Sequence, residues 1–438
     1  MKNRSKIHYF IIGFCPFSSL QSYSQSYVSD QIFMGPGYAH EIFYSLSNDS
    51  VGSSLIKNWD LAFSVYGGTS NEFLSILANH VNGVTIYFNG TTASQNQFDN
   101  FDTTGFQGWL KLYNTDTSWW YGAFNLEPYA HPNYSWATYG TSGTMIGRYI
   151  YLIELSTTGQ ATVYKKLWIK RKSSISGTVE IEFSYANLDG TDLQNVTLSN
   201  LQTTYAGKRY VFYSLRNHQP FDREPARNSW DLTFTRYITF INQGGGSPTP
   251  YTVTGLLSNQ NVQVSRVSGV PVMDAQEGSV PYSLSMNAIG YDWKFFNNST
   301  FQWMIQDSLS YFIKDVNGAI WHLFFTEFGG QSNGMTKFSK KLISPASVQE
   351  SQGPHSVMVY PNPASQYLFL VSDFPWPEEG MIELIDLSGR QLYSYRLSIK
   401  SGFQSNNIDL RSVQEGVYML RIKGHRVDWV QKLIVSAQ

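Results

Sequence analysis

Ile42-Phe43-Tyr44-Ser45-Leu46, followed by Asn58-Trp59-Asp60-Leu61-Ala62-Phe63-Ser64, has a second version in the same chain. That version is Val211-Phe212-Tyr213-Ser214-Leu215, followed by Ser229-Trp230-Asp231-Leu232-Thr233-Phe234-Thr235. Phe43 and Trp59 are 16 residues apart, and Phe212 and Trp230 are 18 apart. In each version Trp, Leu and Phe hold alternate positions, which predicts a strand with these three on one face. The Asp beside each Trp then points to the other face, where its short carboxylate would anchor a turn or cap backbone amides.

A second pair of segments follows in the same order. Leu167-Trp168-Ile169-Lys170 precedes Gly177 and the alternating Val179, Ile181, Phe183 and Tyr185. Tyr311-Phe312-Ile313-Lys314 precedes Gly318 and the apolar run Ile320 to Phe325. Each reads as a hairpin turning at Ser176-Gly177 or Asn317-Gly318. The two pairs predict an internal duplication, with copy one at 28–203 and copy two at 204–344, each long enough for its own core. Trp59 to Ile169 is 110 residues, whereas Trp230 to Ile313 is 83. The extra length is expected within 98–140, a segment dense in Phe, Tyr and Trp. Such aromatics pack a core more often than not; the functional alternative is a platform for a sugar ring or a porphyrin.

Composition agrees with an all-β chain. Aromatics make up 16% of the 438 residues, and Gly, at 35, is plentiful. Aromatic side chains suit a pleated, half-buried surface, and helical periodicity is missing. Charged residues are 14% with a net charge of −1, so no basic field steers the chain to nucleic acid. The single cysteine, Cys15, lies in the leader, which leaves the remainder without thiol catalysis or disulfides.

Both ends read as addresses. Lys2, Arg4 and Lys6, the apolar run Tyr9 to Phe17 and the polar Ser18 to Ser26 have the order of a signal peptide, expected over 1–26. The apolar run is shorter than the roughly 20 residues that span a bilayer, and no later segment is long and apolar enough, so no transmembrane segment is expected. At the other end, Pro361-Asn362-Pro363, Asp386-Leu387-Ser388-Gly389-Arg390, Gly416-Val417-Tyr418 and Lys432-Leu433-Ile434-Val435 punctuate short strands. Alternation along Gly416 to Ile422 predicts one face on a core, and the whole reads as a small Ig-like β-sandwich over 357–438. A Ser-, Gln- and Pro-containing linker, 345–356, precedes it. This ordered motif set resembles the type A C-terminal sorting domain of type IX secretion in Bacteroidota. The resemblance implies an extracellular or outer-surface location, contact with the outer-membrane translocon and its sortase, and release or attachment to surface lipopolysaccharide.

The Trp-Asp-Leu-x-Phe strand and the hairpin Tyr311 to Phe328 resemble the HmuY family of haem-binding proteins. That resemblance implies two tandem HmuY-like β domains, haem held by two axial His or Met side chains, and delivery to a TonB-dependent receptor. Copy two has no His between Trp230 and Ile313 and offers Met273, Met286 and Met304; copy one offers His80, His131 and Met145. His131 and Met145 flank the aromatic segment and are the expected pair, His or Met being sensible axial ligands. No serine-hydrolase elbow, zincin motif, P-loop or dinucleotide fingerprint occurs. Asp189-Gly190-Thr191-Asp192 reads as a turn rather than a calcium loop. The expectation is a non-enzymatic binding protein for haem or a porphyrin; the alternatives are an adhesive surface protein that contacts glycan or protein, and, behind these, a glycan-active enzyme.

Overall fold

The computed structural model describes residues 26–435 apart from 66–73, 126–132, 141–143, 176–177, 202, 243, 245, 345–355, 361–363, 375–376, 387–388, 401 and 426. The chain is all-β: the α-helix among the described residues is the single turn Gln95–Asp99.

The first copy contributes β1 (Val28–Phe33), β2 (His40–Ser45), β3 (Asp49–Leu55), β4 (Leu61–Ser64), β5 (Ile76–Ala78), β6 (Val84–Phe88), β7 (Ile150–Leu155), β8 (Val163–Ile175) and β9 (Thr178–Asn187). The second repeats the series: β10 (Gln194–Ser199), β11 (Tyr210–Ser214), β12 (Gln219–Phe221), β13 (Leu232–Ile241), β14 (Thr249–Ser258), β15 (Gln263–Ser268), β16 (Leu309–Lys314), β17 (Ile320–Phe328) and β18 (Met335–Ser344). By sheet position each strand of the first series matches the strand nine places later. One sheet runs β1-β18-β17-β16-β15, and its counterpart contains β10-β9-β8-β7-β6. The second pair is β14-β13-β2-β3 and β5-β4-β11-β12.

The duplication is therefore present, but its copies have exchanged their first three strands. β2 pairs with β13 of the other copy, Tyr44 opposite Leu232. In the mirror arrangement β11 pairs with β4, Tyr213 opposite Leu61. β1 closes the far edge by pairing with β18, Val28 opposite Lys340. Buried side chains follow the exchange. Ile32, Ile42, Tyr44 and Ile56 share a core with Leu232, Phe234, Tyr311 and Phe338. Leu61, Phe63, Ile153 and Phe183 share the other with Val211, Tyr213 and Leu215. The cut between cores thus differs from the expected spans 28–203 and 204–344: one body is built from β4–β12, the other from β1–β3 with β13–β18.

The hairpins correspond differently from the sequence expectation too. Leu167–Lys170 lies in β8, whose counterpart is β17; the counterpart of β16, with Tyr311–Lys314, is β7. Several successive strands carry similar alternation, so a shift by one strand kept an apolar match. The Asn317-Gly318 turn stands as read: Asp315 Oδ1 accepts the amides of Asn317 and Ala319, each at 2.9 Å, and Gly318 takes φ 89°, a left-handed value that glycine meets without a Cβ clash. Ser176 and Gly177 lie outside the described residues. The first copy's extra chain falls between β6 and β7, residues 89–149, against 269–308 in the second.

The Trp residues occupy the face opposite to the one expected. Leu61 and Phe63 enter the first core, whereas Trp59 packs with Ala62, Tyr210 and Phe212 on the other side of the sheet. Strands β4 and β13 begin only at Leu61 and Leu232, so the alternation does not reach back to Trp59 and Trp230. The Asp expectation is met in both copies. Asp231 accepts the amides of Leu46 at 2.7 Å and Val316 at 2.9 Å. Asp60 accepts the Arg216 amide and the Ser214 hydroxyl, each at 3.2 Å, and is ion-paired with the Arg216 guanidinium. Each carboxylate thus ties its own strand to the strand donated by the other copy.

The C-terminal region forms the expected sandwich. A three-stranded sheet of Ser356–Tyr360, Tyr367–Phe374 and Gly402–Asp409 lies with a four-stranded one of Gln391–Ile399, Glu378–Asp386, Gly416–Lys423 and Asp428–Val435. They share one core that includes Leu368, Ile382, Leu420 and Leu433. The Asp386–Arg390 turn closes through Asp386 Oδ1, which accepts the Arg390 amide at 3.0 Å.

Candidate functional site

The strand exchange gives each inner sheet a second buried face. Along β13, Leu232 and Phe234 enter the core, while Thr233 and Thr235 face the other way and line a cavity of about 110 Å³. Phe43 and Leu257 join them from the same sheet, and Trp59, Leu77 and Phe212 line it from the other body. The seam has an approximate two-fold pattern. Trp59 meets Phe212 edge-on at 5.0 Å, and Trp230 meets Phe43 edge-on at 5.1 Å. Trp119, from the inserted segment, covers one side: its indole N–H donates to the Ser258 carbonyl at 2.8 Å, and its ring lies 6.2 Å from Trp230.

Acidic side chains at the seam are already engaged. Glu41 pairs with Arg223 at 2.7 Å and accepts the Thr235 hydroxyl at 3.2 Å. Glu224 Oε1 accepts the amides of Arg209 at 2.5 Å and Tyr210 at 2.7 Å, and burial pushes its carboxyl up to about 7. Asp116 accepts from the Asn287 amide at 2.9 Å. Donors are less well served. Trp230 Nε1, Thr233 Oγ1, Arg236 Nε and Tyr237 Oη all belong to lining residues, are sealed from solvent and have no hydrogen-bond partner. Native interiors rarely leave such groups unmatched, so their presence calls for an explanation.

The haem-ligand candidates named from the sequence are placed as follows. Met145 is 5% exposed and packs within the first core; His131 lies outside the described residues. The pairing expected from sequence thus has one member committed to apolar packing. His80 lines the seam cavity, but its Nδ1–H donates to the Val84 carbonyl at 2.9 Å and its Nε2 accepts the Asn114 amide at 3.3 Å. Neither nitrogen is open to iron. Met273 and Met304 are exposed, and Met286 is a buried cavity-wall residue. Part of the aromatic segment packs inward: Phe124 and Trp136 enter the first core, and Phe98 and Phe101 form a smaller cluster against Trp168, whereas Trp120 and Tyr139 are exposed. Asp189 and Asp192 behave as turn residues, Asp189 Oδ1 accepting the Thr191 amide at 2.9 Å and Asp192 pairing with Lys165 at 2.6 Å. No cluster of metal-ligating side chains occurs among the described residues.

Two buried imidazoles give a direct check on this packing. Burial lowers His80 to about 4 and His322 to about 4, the latter stacked on Phe312 at 4.5 Å with Nδ1 against the Tyr27 hydroxyl at 2.7 Å. A depressed folded value means that each contributes stability above about 6.5, lost as pH falls toward 4. Nuclear magnetic resonance should find both imidazoles neutral at pH 5.5. Titration of either near 6.5 would contradict the burial.

The seam was not legible as a site in sequence, because its residues come from both copies and each satisfies ordinary strand alternation. The one available signal was the recurrence of Phe-Tyr-Ser-Leu and Trp-Asp-Leu at matched spacing.

Comparison with known proteins identifies the C-terminal region. Residues 358–436 match the secretion system C-terminal sorting domain. The chain is accordingly a type IX secretion substrate, exported to the cell surface or the extracellular space, and interacts with the type IX machinery. No curated protein matches the chain. Among solved structures it is similar to dimeric latent PorU from Porphyromonas gingivalis, at 10% identity and a TM-score of 0.18 over 86% of this chain and 34% of that one. The chain spans about a third of that protein's length. No helix among the described residues is long and apolar enough to cross a membrane. Removing 357–438 should abolish arrival of the cargo outside the cell, measured by immunoblot of medium and protease-shaved cells; undiminished export would contradict the assignment.

Proposed function

We propose that the exported cargo is a non-enzymatic ligand-binding protein whose ligand seat is the seam between its two bodies. The observation that carries this reading is the cavity beside β13, whose lining residues Trp230, Thr233 and Tyr237 carry sealed polar groups without hydrogen-bond partners while the neighbouring carboxylates are engaged. Aromatic walls with a few convergent polar groups are the usual make-up of a small-molecule site. The likeness to haem-binding HmuY proteins also favours capture over catalysis. It names a larger ligand, however: the seam holds about 110 Å³, whereas pockets for drug-sized molecules run to about 300–1,000 Å³. A ligand of few atoms suits it better than a porphyrin.

The test is a pair of titrations on the purified chain. Labelling with 5-fluorotryptophan gives a fluorine resonance for Trp230, assigned through Trp230→Phe. A small-molecule fragment library should contain members that move this resonance, and haemin should leave it in place and develop no Soret shift. A haemin Soret shift abolished by His131→Ala would replace the seam with the porphyrin reading. A fragment library that never perturbs Trp230 would remove the seam as a binding site.

A further inference from the structure

We propose that a second hollow, beside the seam, binds a neutral sugar, with Trp120 as the platform for one ring. This site is independent of the seam's role as a ligand seat. It measures about 310 Å³ and lies where three chain segments meet: 117–120 from the first copy's inserted chain, 259–261 after β14, and 284–286 between β15 and β16. Trp119 and Met286 line both this hollow and the seam cavity.

The three segments hold one another in place. The Met286 amide donates to the Thr117 carbonyl at 3.0 Å, and the Ser258 amide donates to the Met286 carbonyl at 2.7 Å. The Trp119 indole N–H closes the set on the Ser258 carbonyl at 2.8 Å. Asn259 pins the turn that follows: its side-chain amide donates to the carbonyls of Arg227 at 2.7 Å and Trp230 at 2.6 Å. Walls tied in this way are formed before a ligand arrives, which spares the cost of ordering them on binding.

The lining selects the chemistry. Among the described residues no charged side chain lines the hollow. Trp120 lines it and is 40% exposed. The face of an aromatic ring is electron-rich, and the C–H bonds on one side of a pyranose form an apolar patch that packs on such a face. Sugar hydroxyls both donate and accept, as do side-chain amides. Asn261 is exposed on this lining, and its side chain has no hydrogen-bond partner among the described residues. Gln260 Oε1 accepts from the Arg209 guanidinium at 3.2 Å, which leaves its amide nitrogen to donate. Ser118 Oγ accepts the Trp120 amide at 3.1 Å and keeps its own proton for an outside acceptor. An ion would find no counter-charge here, and a hydrocarbon would leave the amides unmatched. A volume of about 310 Å³ reaches the lower end of the about 300–1,000 Å³ of small-molecule sites, which suits one or two pyranose rings.

The experiment titrates the 5-fluorotryptophan-labelled chain, its Trp120 resonance assigned through Trp120→Phe, with neutral trisaccharides of glucose, mannose and galactose. A uronic-acid trisaccharide and indole are separate arms. At least one neutral trisaccharide should move the Trp120 resonance saturably. By calorimetry, Trp120→Ala should weaken that sugar at least roughly tenfold. Asn261→Gly removes the amide yet suits the left-handed φ of 68° at that position. It should weaken the sugar about three- to tenfold, and it serves as a second route if Trp120→Ala misfolds. Affinity unchanged by both substitutions overturns the site. So does a uronate that binds more tightly than every neutral sugar, or indole moving Trp120 while all sugars are silent. A sugar that moves Trp230 and not Trp120 overturns this site and supports the seam. Sugars silent at Trp120 while fragments still move Trp230 reject the sugar site alone.

Discussion

Residues 27–203 and 204–344, expressed separately, are expected to be unfolded, and to recover cooperative structure only when mixed. The second fragment contains β13–β18 but lacks β1–β3. Its core loses Ile32, Met34, Ile42, Tyr44, Leu46 and Ile56. Burying each such side chain contributes about 1.5–3 kcal/mol, so the loss is roughly 10 kcal/mol or more, comparable with the whole stability of a domain at about 5–15 kcal/mol. β13 is also left without the partner strand that brings Tyr44 opposite Leu232, and the opened edge invites association with other chains. The first fragment carries β1–β3 with nothing to cover them and lacks β11, which pairs with β4. Circular dichroism and thermal melts of each fragment and of the mixture would decide it. A sharp melt in either fragment alone would refute the exchange.

Asp60→Ala should be the most destabilising single substitution among the residues discussed here, at about 3–5 kcal/mol. Asp60 is fully buried and collects the Arg216 guanidinium, the Arg216 amide, the Ser214 hydroxyl and the Asn82 amide. Alanine strands the guanidinium, which is only 22% exposed, beside unmatched donors. Asp231→Ala should cost somewhat less, about 2–5 kcal/mol, because it strands two backbone amides instead of a charge. Burial raises Asp231 to about 6 from an ordinary 3.8. A raised folded value contributes stability below about 3.8 and loses it as pH rises through 6. Asp231→Asn should therefore cost most near pH 4 and progressively less toward pH 7. Chemical denaturation across that range measures this directly, and a penalty growing with pH would contradict the assigned burial.

Much of the fold could be read from residue order. Alternation in Ile42–Leu46 and Val211–Leu215 identified strands, and their recurrence identified the duplication. The side-chain chemistry of Asp60 and Asp231 was readable because a carboxylate next to a strand start has few other uses. The exchange was not readable, for a physical reason. The two Phe-Tyr-Ser-Leu strands are nearly alike, so each is an acceptable neighbour for either Trp-Asp-Leu strand. What decides between them is the length and direction of residues 56–60 and 222–231, a property of chain geometry that pattern does not carry. The site suffered the same fate. His131 and Met145 were singled out as chemically suitable atoms near aromatics, yet Met145 fills the first core. Thr233 and Thr235 looked like routine outward residues of a strand, and become unusual only because another sheet faces them.

The pairing of Val28 with Lys340 has a kinetic consequence. A chain emerging from its N-terminus cannot give β1 its partner until nearly all of the cargo is available. Ring closure over some three hundred positions must come before those contacts reward it, which marks this as a slow folder with high contact order. In the interval the apolar side chains of β1 and β2, among them Ile32, Ile42 and Tyr44, wait uncovered, a state prone to aggregation. Export of this protein should consequently depend heavily on holding chaperones in the compartment where it first folds.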